Sequence, residues 1–306
     1  MGWKIIDIDQ PCILKTYLNN LIILNTKRLT IPMNDIDVLI ISNNQMSLTI
    51  NAINELVNNG VCIIICDQKK LPNSYILGYK VQKQSFVNFK KQLEWTEAFK
   101  NKCWNWLVKH KINNQLDLLD FYQSNDQDWR SEIANVADFQ NTMYEAQIAS
   151  YFFKQLFGPS FNRKKAILTN SCLDYGYTIL TNMVARSIAK KGLNPHISFY
   201  HGSIYSAQPL AYDIVEIFRI TIDLFVKNLF ENNLIHHRNE SLTRDLKNCL
   251  LDYLSNYKIQ LDDKFEYINN AIDKVLDWII NDDFLNHQIH YDFAIEGTNY
   301  ETKLKE

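Results

Sequence analysis

The chain has 306 residues, 46% of them apolar, and a formal net charge of -2. That length accommodates two domains with a core each, and the near-neutral charge excludes a globally basic DNA-coating protein while leaving local patches open. No apolar run reaches the roughly 18 residues of a spanning helix, and MGWKIIDID has no basic region followed by a signal-length apolar core, so the expectation is a cytoplasmic protein with no membrane.

The first eighty residues read as strands. Ile5, Ile6 and Ile8 open one, and CILKTYL and LIIL flank Asn19 and Asn20, a hairpin signal because Asn tolerates positive φ. DIDVLII predicts another strand, and Leu48, Ala52, Ile53, Leu56 and Val57 recur at helical spacing over Leu48 to Asn59, with Gly60 as the stop. VCIIIC predicts a fully buried strand, with Cys62 and Cys66 on one face as buried free thiols, and SYILGY one more. The six cysteines are otherwise scattered, without zinc spacing, as suits a reducing compartment.

Beyond Lys80 the period changes to 3.6 and glycine becomes rare. Helices are predicted around Trp95, Phe99, Trp106 and Leu107, from about Trp129 to Phe157, and from Leu173 to about Lys190, where Gly192 and Pro195 end the pattern. Three more are predicted: from Pro209, which suits a first helical position, to about Phe230, from Leu242 to Tyr257, and from Asp262 to Ile280. The predicted fold class is α+β, a small β-rich domain with one helix over 1–80, a linker over 81–90, and an all-α domain over 91–306 that carries the chemistry.

Charge is polarised along the chain. Lys80 to Lys111 holds eight lysines against Glu94 and Glu97, and Lys154 to Lys191 holds seven basic residues against Asp174, so each carries +6. Ser255 to Glu306 has eleven acidic and five basic residues, or -6. The basic segments read either as solvated helix faces or as a surface for a polyanion such as nucleic acid.

The stretch HISFYHGSIYSAQPLAYDIVEIFR sets His201 in a polar loop and Asp213 and Glu216 three residues apart on the helix that follows, a spacing that shares one face. Glu145 lies in NTMYEAQIASYFF with Ile148, Ala149 and Phe152 on its face, and a carboxylate there needs a partner. Taken singly, each has a structural alternative: an edge carboxylate, an exposed DxxE, a hydrogen-bonded loop histidine. Taken together, carboxylates and one imidazole suit a divalent ion with open positions for phosphate oxygens, and hence phosphoryl transfer. The histidine leans the site toward Mn²⁺ in vitro, with Mg²⁺ expected in the cell.

These segments, with DIDVLIISNNQMSLTINAINEL, VCIIICD and NSCLDYGYTILTNMVARSI followed by GLNP, resemble the CRISPR-associated protein one family, the spacer-acquisition integrase, over nearly the whole length. The similarity is closest to the branch that accompanies single-protein effector nucleases. The resemblance implies a metal held by Glu145, His201 and Glu216 with Asp213 beside it as a further catalytic residue. It also implies a helix bearing Tyr175, Gly176 and Tyr177 packed under the site, and an N-terminal β-sandwich through which the chains dimerise. The implied partners are double-stranded DNA and a small dimer of CRISPR-associated protein two. Arg163, Lys164 and Lys165, between the Glu145 and Tyr175 helices, are the predicted DNA-backbone contacts. Ala146, Ser198, Phe199, Tyr200 and Ile217 depart from the family pattern, as does Glu216 where many members have Asp, and none removes a ligand. The rivals are a metal-dependent nuclease for branched DNA and a non-catalytic DNA-binding scaffold.

Overall fold

The computed structural model describes residues 4–68, 72–76, 78, 83–124, 128–134, 136, 138, 139, 143–202, 208–237 and 240–294. The N-terminal region runs β1 (Lys4–Ile8), β2 (Ile13–Tyr17), β3 (Asn20–Leu24), β4 (Arg28–Pro32), β5 (Ile36–Ile41), β6 (Ser47–Leu48), α1 (Ile50–Asn58), β7 (Cys62–Cys66) and β8 (Pro72–Ile76). The strands make two four-stranded sheets, ordered β1-β5-β7-β8 and β4-β3-β2-β6. In the first, β1, β5 and β7 are parallel and β8 is antiparallel to β7.

Every residue of β5 is buried, as expected of a parallel strand covered on both faces. Alternation divides its side chains: Val38 and Ile40, with Cys62, Ile64 and Cys66 of β7, join the core of the helical region. Leu39 and Ile41, with Ile63, pack instead against Leu14, Leu21 and Ile23 of the second sheet. The first sheet is therefore a middle layer between the second sheet and the helices. Both thiols of β7 are free, and burial pushes them up, Cys62 to about 12 and Cys66 to about 11. The β2–β3 turn is centred one residue earlier than the Asn pair implies: Leu18 and Asn19 take positive φ, and Asn20 already pairs with Tyr17.

The helical region contains α2 (Lys83–Leu93), α3 (Glu97–Phe121), α4 (Trp129–Ile133), α5 (Tyr144–Phe157), α6 (Leu168–Lys191), α7 (Pro209–Val215), α8 (Ile220–Glu231), α9 (Arg244–Asn256) and α10 (Ile268–Ile280). Three expectations need correction. Residues 83–90, read as linker, lie inside α2. The stretch read as one helix from Trp129 contains two, α4 and α5, with Asp128 capping the first through the Ser131 N–H. The region is also not all-α: β9 (Lys258–Leu261), β10 (Lys264–Tyr267) and β11 (Ile289–His290) form an antiparallel sheet ordered β10-β9-β11. Asp262, in the left-handed region at φ 51°, turns β9 into β10, so the helix begins only at Ile268.

Helix α6 is buried on most sides, as a central helix should be, and ends in the left-handed Gly192 at φ 75°. Its Arg186 reaches Asp37 of β5 at 2.8 Å and donates to the Gly60 carbonyl at 3.1 Å. This buried charge pair ties the central helix to the middle sheet.

Candidate active site

Pro209 sits in the first turn of α7, where its missing N–H costs no helix bond. The helix does not run on to Phe230: it stops at Val215, residues 216–219 form a turn, and α8 starts at Ile220. In an unbroken helix the Ile217 carbonyl would accept from Thr221. Here the Thr221 N–H donates to Phe218 at 3.1 Å, and the Ile217 carbonyl accepts from the Tyr291 hydroxyl at 2.6 Å and the Asn114 amide at 3.5 Å. Side chains inserted into the ladder therefore bend the chain at Glu216.

The bend gives the two carboxylates of DxxE different surroundings. Asp213 is fully buried, and its Oδ2 accepts from the backbone N–H groups of Phe199 at 2.6 Å and Tyr200 at 3.1 Å. Its Oδ1 accepts from the His201 backbone N–H at 3.0 Å and lies 2.7 Å from His201 Nδ1. Four bonds use the whole acceptor capacity of the carboxylate, so Asp213 is a positioning residue and not a ligand. An acceptor at Nδ1 places the ring hydrogen there and leaves the Nε2 lone pair free when the imidazole is neutral. Trp104 completes the setting, stacked on Tyr200 with ring centroids 4.4 Å apart and edge-on to His201 at 5.3 Å. The bond to Asp213 raises the His201 pKa above the ordinary value against the opposing effect of burial, and the charges of Glu216 and Glu145 add to the rise.

Glu145, in the first turn of α5, and Glu216, at the bend, face each other across the Lys111 ammonium of α3. Lys111 Nζ lies 2.6 Å from Glu145 Oε1 and 2.7 Å from Glu216 Oε2. Glu216 Oε2 is buried, and the Lys111 ammonium is the charge that meets it. Glu216 Oε1 pairs with Arg219 at 3.0 Å. Burial pushes the Glu216 carboxyl up, but Lys111 and Arg219 outweigh it and hold the group below the ordinary range. Burial opposes the Lys111 charge in turn, and the two glutamates more than restore it.

The structure thus brings Glu145, His201, Asp213 and Glu216 to one place. Among the described residues no three His, Cys, Asp or Glu side chains stand in coordinating geometry, and the gap between the glutamates holds Lys111. The donors nonetheless fit a hard divalent ion: two carboxylates that share one cation position and an imidazole anchored through its far nitrogen.

A cavity of about 840 Å³ opens beside Lys111 and Glu216, with Arg163, Tyr177, Arg219 and Asp223 also in its wall. The Tyr177 hydroxyl donates to Asp223, which burial raises to about 7. The Arg163 and Arg219 guanidiniums lie 5.7 and 5.0 Å from the Tyr177 ring centre. Gly176 keeps α6 close to α8, since a Cβ there would meet Ile222 Cγ2 at 2.6 Å. The predicted DNA-contact run is divided: Arg163 turns inward and donates to Asn170 at 2.7 Å and Asp174 at 2.5 Å, whereas Lys164 and Lys165 are exposed.

Sequence reasoning missed Lys111, Arg219, Asp223 and Trp104 as site residues. Lys111 lies on the inward stripe of α3 with Leu107, Val108, Asn114 and Gln115, all buried, but the polar Asn114 and Gln115 hide that stripe in the sequence.

The family model described as CRISPR associated protein Cas1 matches residues 8–156 and 162–259. The CRISPR-associated endonuclease Cas1 of Neisseria meningitidis serogroup C (strain 8013) is 30% identical over 250 residues, 81% of this chain and 81% of that protein. Among solved structures, a casposase bound to integration product superposes with a TM-score of 0.71 at 20% identity, over 97% of this chain and 94% of that one. A Cas6-RT-Cas1–Cas2 complex gives a TM-score of 0.70 at 16% identity, over 93% of this chain and 35% of the longer one. The two structural likenesses concern the fold.

Proposed function

Because the chain belongs to the CRISPR-associated protein Cas1 family, we propose that it is a spacer-acquisition integrase, inserting short DNA segments into a repeat array by metal-dependent transesterification. The observation that carries this reading is the pairing of Glu145 and Glu216 across one cation position, next to a His201 ring whose Nδ1 is tied to Asp213. Glu145, Glu216 and His201 Nε2 would hold the ion, Mg²⁺ in the cell with Mn²⁺ able to substitute. A divalent ion there supplies Lewis-acid polarisation of the target phosphodiester and charge neutralisation on the oxygens exchanging at phosphorus.

The chain's own groups do the rest. Asp213 holds His201 in one tautomer, and Arg163 and Arg219 in the wall of the adjoining cavity are the groups that would meet backbone phosphates, in exchange for their pairing with Asp174 and Glu216. In the reaction the 3′-hydroxyl oxygen of the captured end forms a new bond to phosphorus, and the bridging 3′ oxygen of the target strand leaves with the proton. One phosphodiester replaces another, so no external energy source is required. With water as nucleophile the same site would act as a nuclease, a reading favoured by the endonuclease name of the Neisseria relative. The Cas2 named in the Cas6-RT-Cas1–Cas2 complex, and the integration product named with the casposase, motivate a small Cas2-type partner and DNA for this chain.

Duplex ends carrying a 3′-hydroxyl or a 3′-deoxy terminus, offered to repeat-bearing plasmid with Mg²⁺, separate the two chemistries. Joined product from the hydroxyl end alone supports the integrase; equal plasmid cleavage with both ends and no joining would make the protein a nuclease.

A further inference from the structure

Lys111 fills the place where the two glutamates converge. Its side chain is 11% exposed and that of Glu216 4%, so these charges interact where water screens poorly. One oxygen of each glutamate already lies within hydrogen-bonding distance of the same nitrogen, so the gap between them is one cation wide. A hard divalent ion needs those same oxygens at about 2.0 to 2.6 Å. Ammonium and metal ion therefore compete for one position.

We propose that Lys111 is a built-in counter-cation: it holds Glu145 and Glu216 at ligand spacing in the metal-free protein, and its ammonium leaves the gap when a divalent ion enters. Lys111 and Arg219 both line the cavity alongside, so the displaced charge has open space beside the site. The lysine thus pre-organises the ligands, at some loss of metal affinity. This inference rests on the metal-site reading above, and the two fail in different ways.

The test is calorimetric Mn²⁺ titration of the metal-free full-length protein as wild type, Lys111→Met and Glu216→Gln. Wild type should bind Mn²⁺ and Glu216→Gln should bind at least tenfold more weakly. Lys111→Met should bind at least tenfold more tightly than wild type, a change of about 1.4 kcal/mol. The metal-free Lys111→Met protein should also melt below wild type, and saturating Mn²⁺ should erase that deficit, which a lysine serving only packing would not show. Equal or weaker Mn²⁺ binding by Lys111→Met, with wild-type binding still dependent on Glu216, overturns the counter-cation while leaving the metal site standing. Wild-type binding that does not depend on Glu216 removes the metal site and this inference with it. Should Lys111→Met not fold, amine acylation of Lys111 in the wild type, read by mass spectrometry, should rise several-fold on adding Mn²⁺. Unchanged labelling would contradict displacement.

Discussion

Asp213 accepts from three successive backbone N–H groups and from the His201 ring, so truncating it strands donors in a buried loop. The family resemblance, which implies Asp213 beside the metal and outside its ligands, predicts a milder loss of integration for Asp213→Ala than for the ligand variants. The structure predicts instead that this change is the most damaging to stability, by about 3 kcal/mol or more, since each stranded donor costs about 1 to 3 kcal/mol. His201→Ala removes a proposed ligand and leaves the buried Asp213 carboxylate one donor short, so it should cost about 1 to 3 kcal/mol in urea unfolding, less than Asp213→Ala. Asp223 adds a pH signature. The unfolded chain releases this proton near the ordinary aspartate value of 3.8, whereas the folded chain keeps it to about 7. Between those values the folded state binds more protons, so stability falls as pH rises and levels off above about 7, by at most about 4 kcal/mol. Asp223→Asn should flatten that part of the curve, measured as melting temperature against pH; an unchanged slope would contradict the raised pKa. Glu145, His201 and Glu216 stood out in the sequence only jointly and through the family resemblance, since each alone also reads as an ordinary edge carboxylate or loop histidine. Lys111 did not, because a lysine in a basic segment reads as surface until the depth of its helix face is known.

At the scale of elements, spacing alone implied that Asp213 and Glu216 share a helix face. What separates their roles is the turn at residues 216–219, stabilised by Tyr291, seventy-four positions away in the chain. No local pattern encodes a hydroxyl arriving from that distance, which is why the break was invisible while Pro209 and Gly192 were read correctly as helix ends. Tyr291→Phe should cost about 1 kcal/mol and reduce strand transfer several-fold by loosening Glu216; full activity would show that the turn holds itself. Gly176→Ala tests the packing under the site. Its methyl meets Ile222, so a loss of about 1 to 3 kcal/mol is expected, partly recovered in the double variant with Ile222→Ala. The β9–β10 hairpin escaped detection because its strands have four residues each, too few for a period of two to outweigh the helical pattern that follows.

For the whole molecule, the β-rich region was legible from its apolar runs, yet its role as a middle layer was not, because both layers bury the same strands. Val38, Ile40, Cys62 and Ile64 belong to the helical core, so deleting residues 1–80 would strip that core as well as any dimer contact. Point changes on the outer sheet are the cleaner test of assembly. Tyr17 and Leu18 at the β2–β3 tip are 61% and 75% exposed, and such apolar surface suits a symmetric contact. Light scattering should give twice the 36.0 kDa chain mass, falling to the monomer in Leu18→Asp; a monomeric wild type would contradict dimerisation through this region. Reversing Lys164 and Lys165 to Glu should weaken DNA binding regardless of sequence and flatten its salt dependence. The central claim is that Glu145, His201 and Glu216 form one phosphoryl-transfer centre. Its most direct measurement is strand transfer of a short duplex into a repeat-bearing plasmid, with a Cas2-type partner and Mg²⁺ or Mn²⁺. Wild type should join the DNA, EDTA should stop it, and Glu145→Ala, His201→Ala and Glu216→Ala should each lower it at least a hundredfold while unfolding cooperatively in urea. Wild-type joining by all three variants under saturating metal would contradict the account.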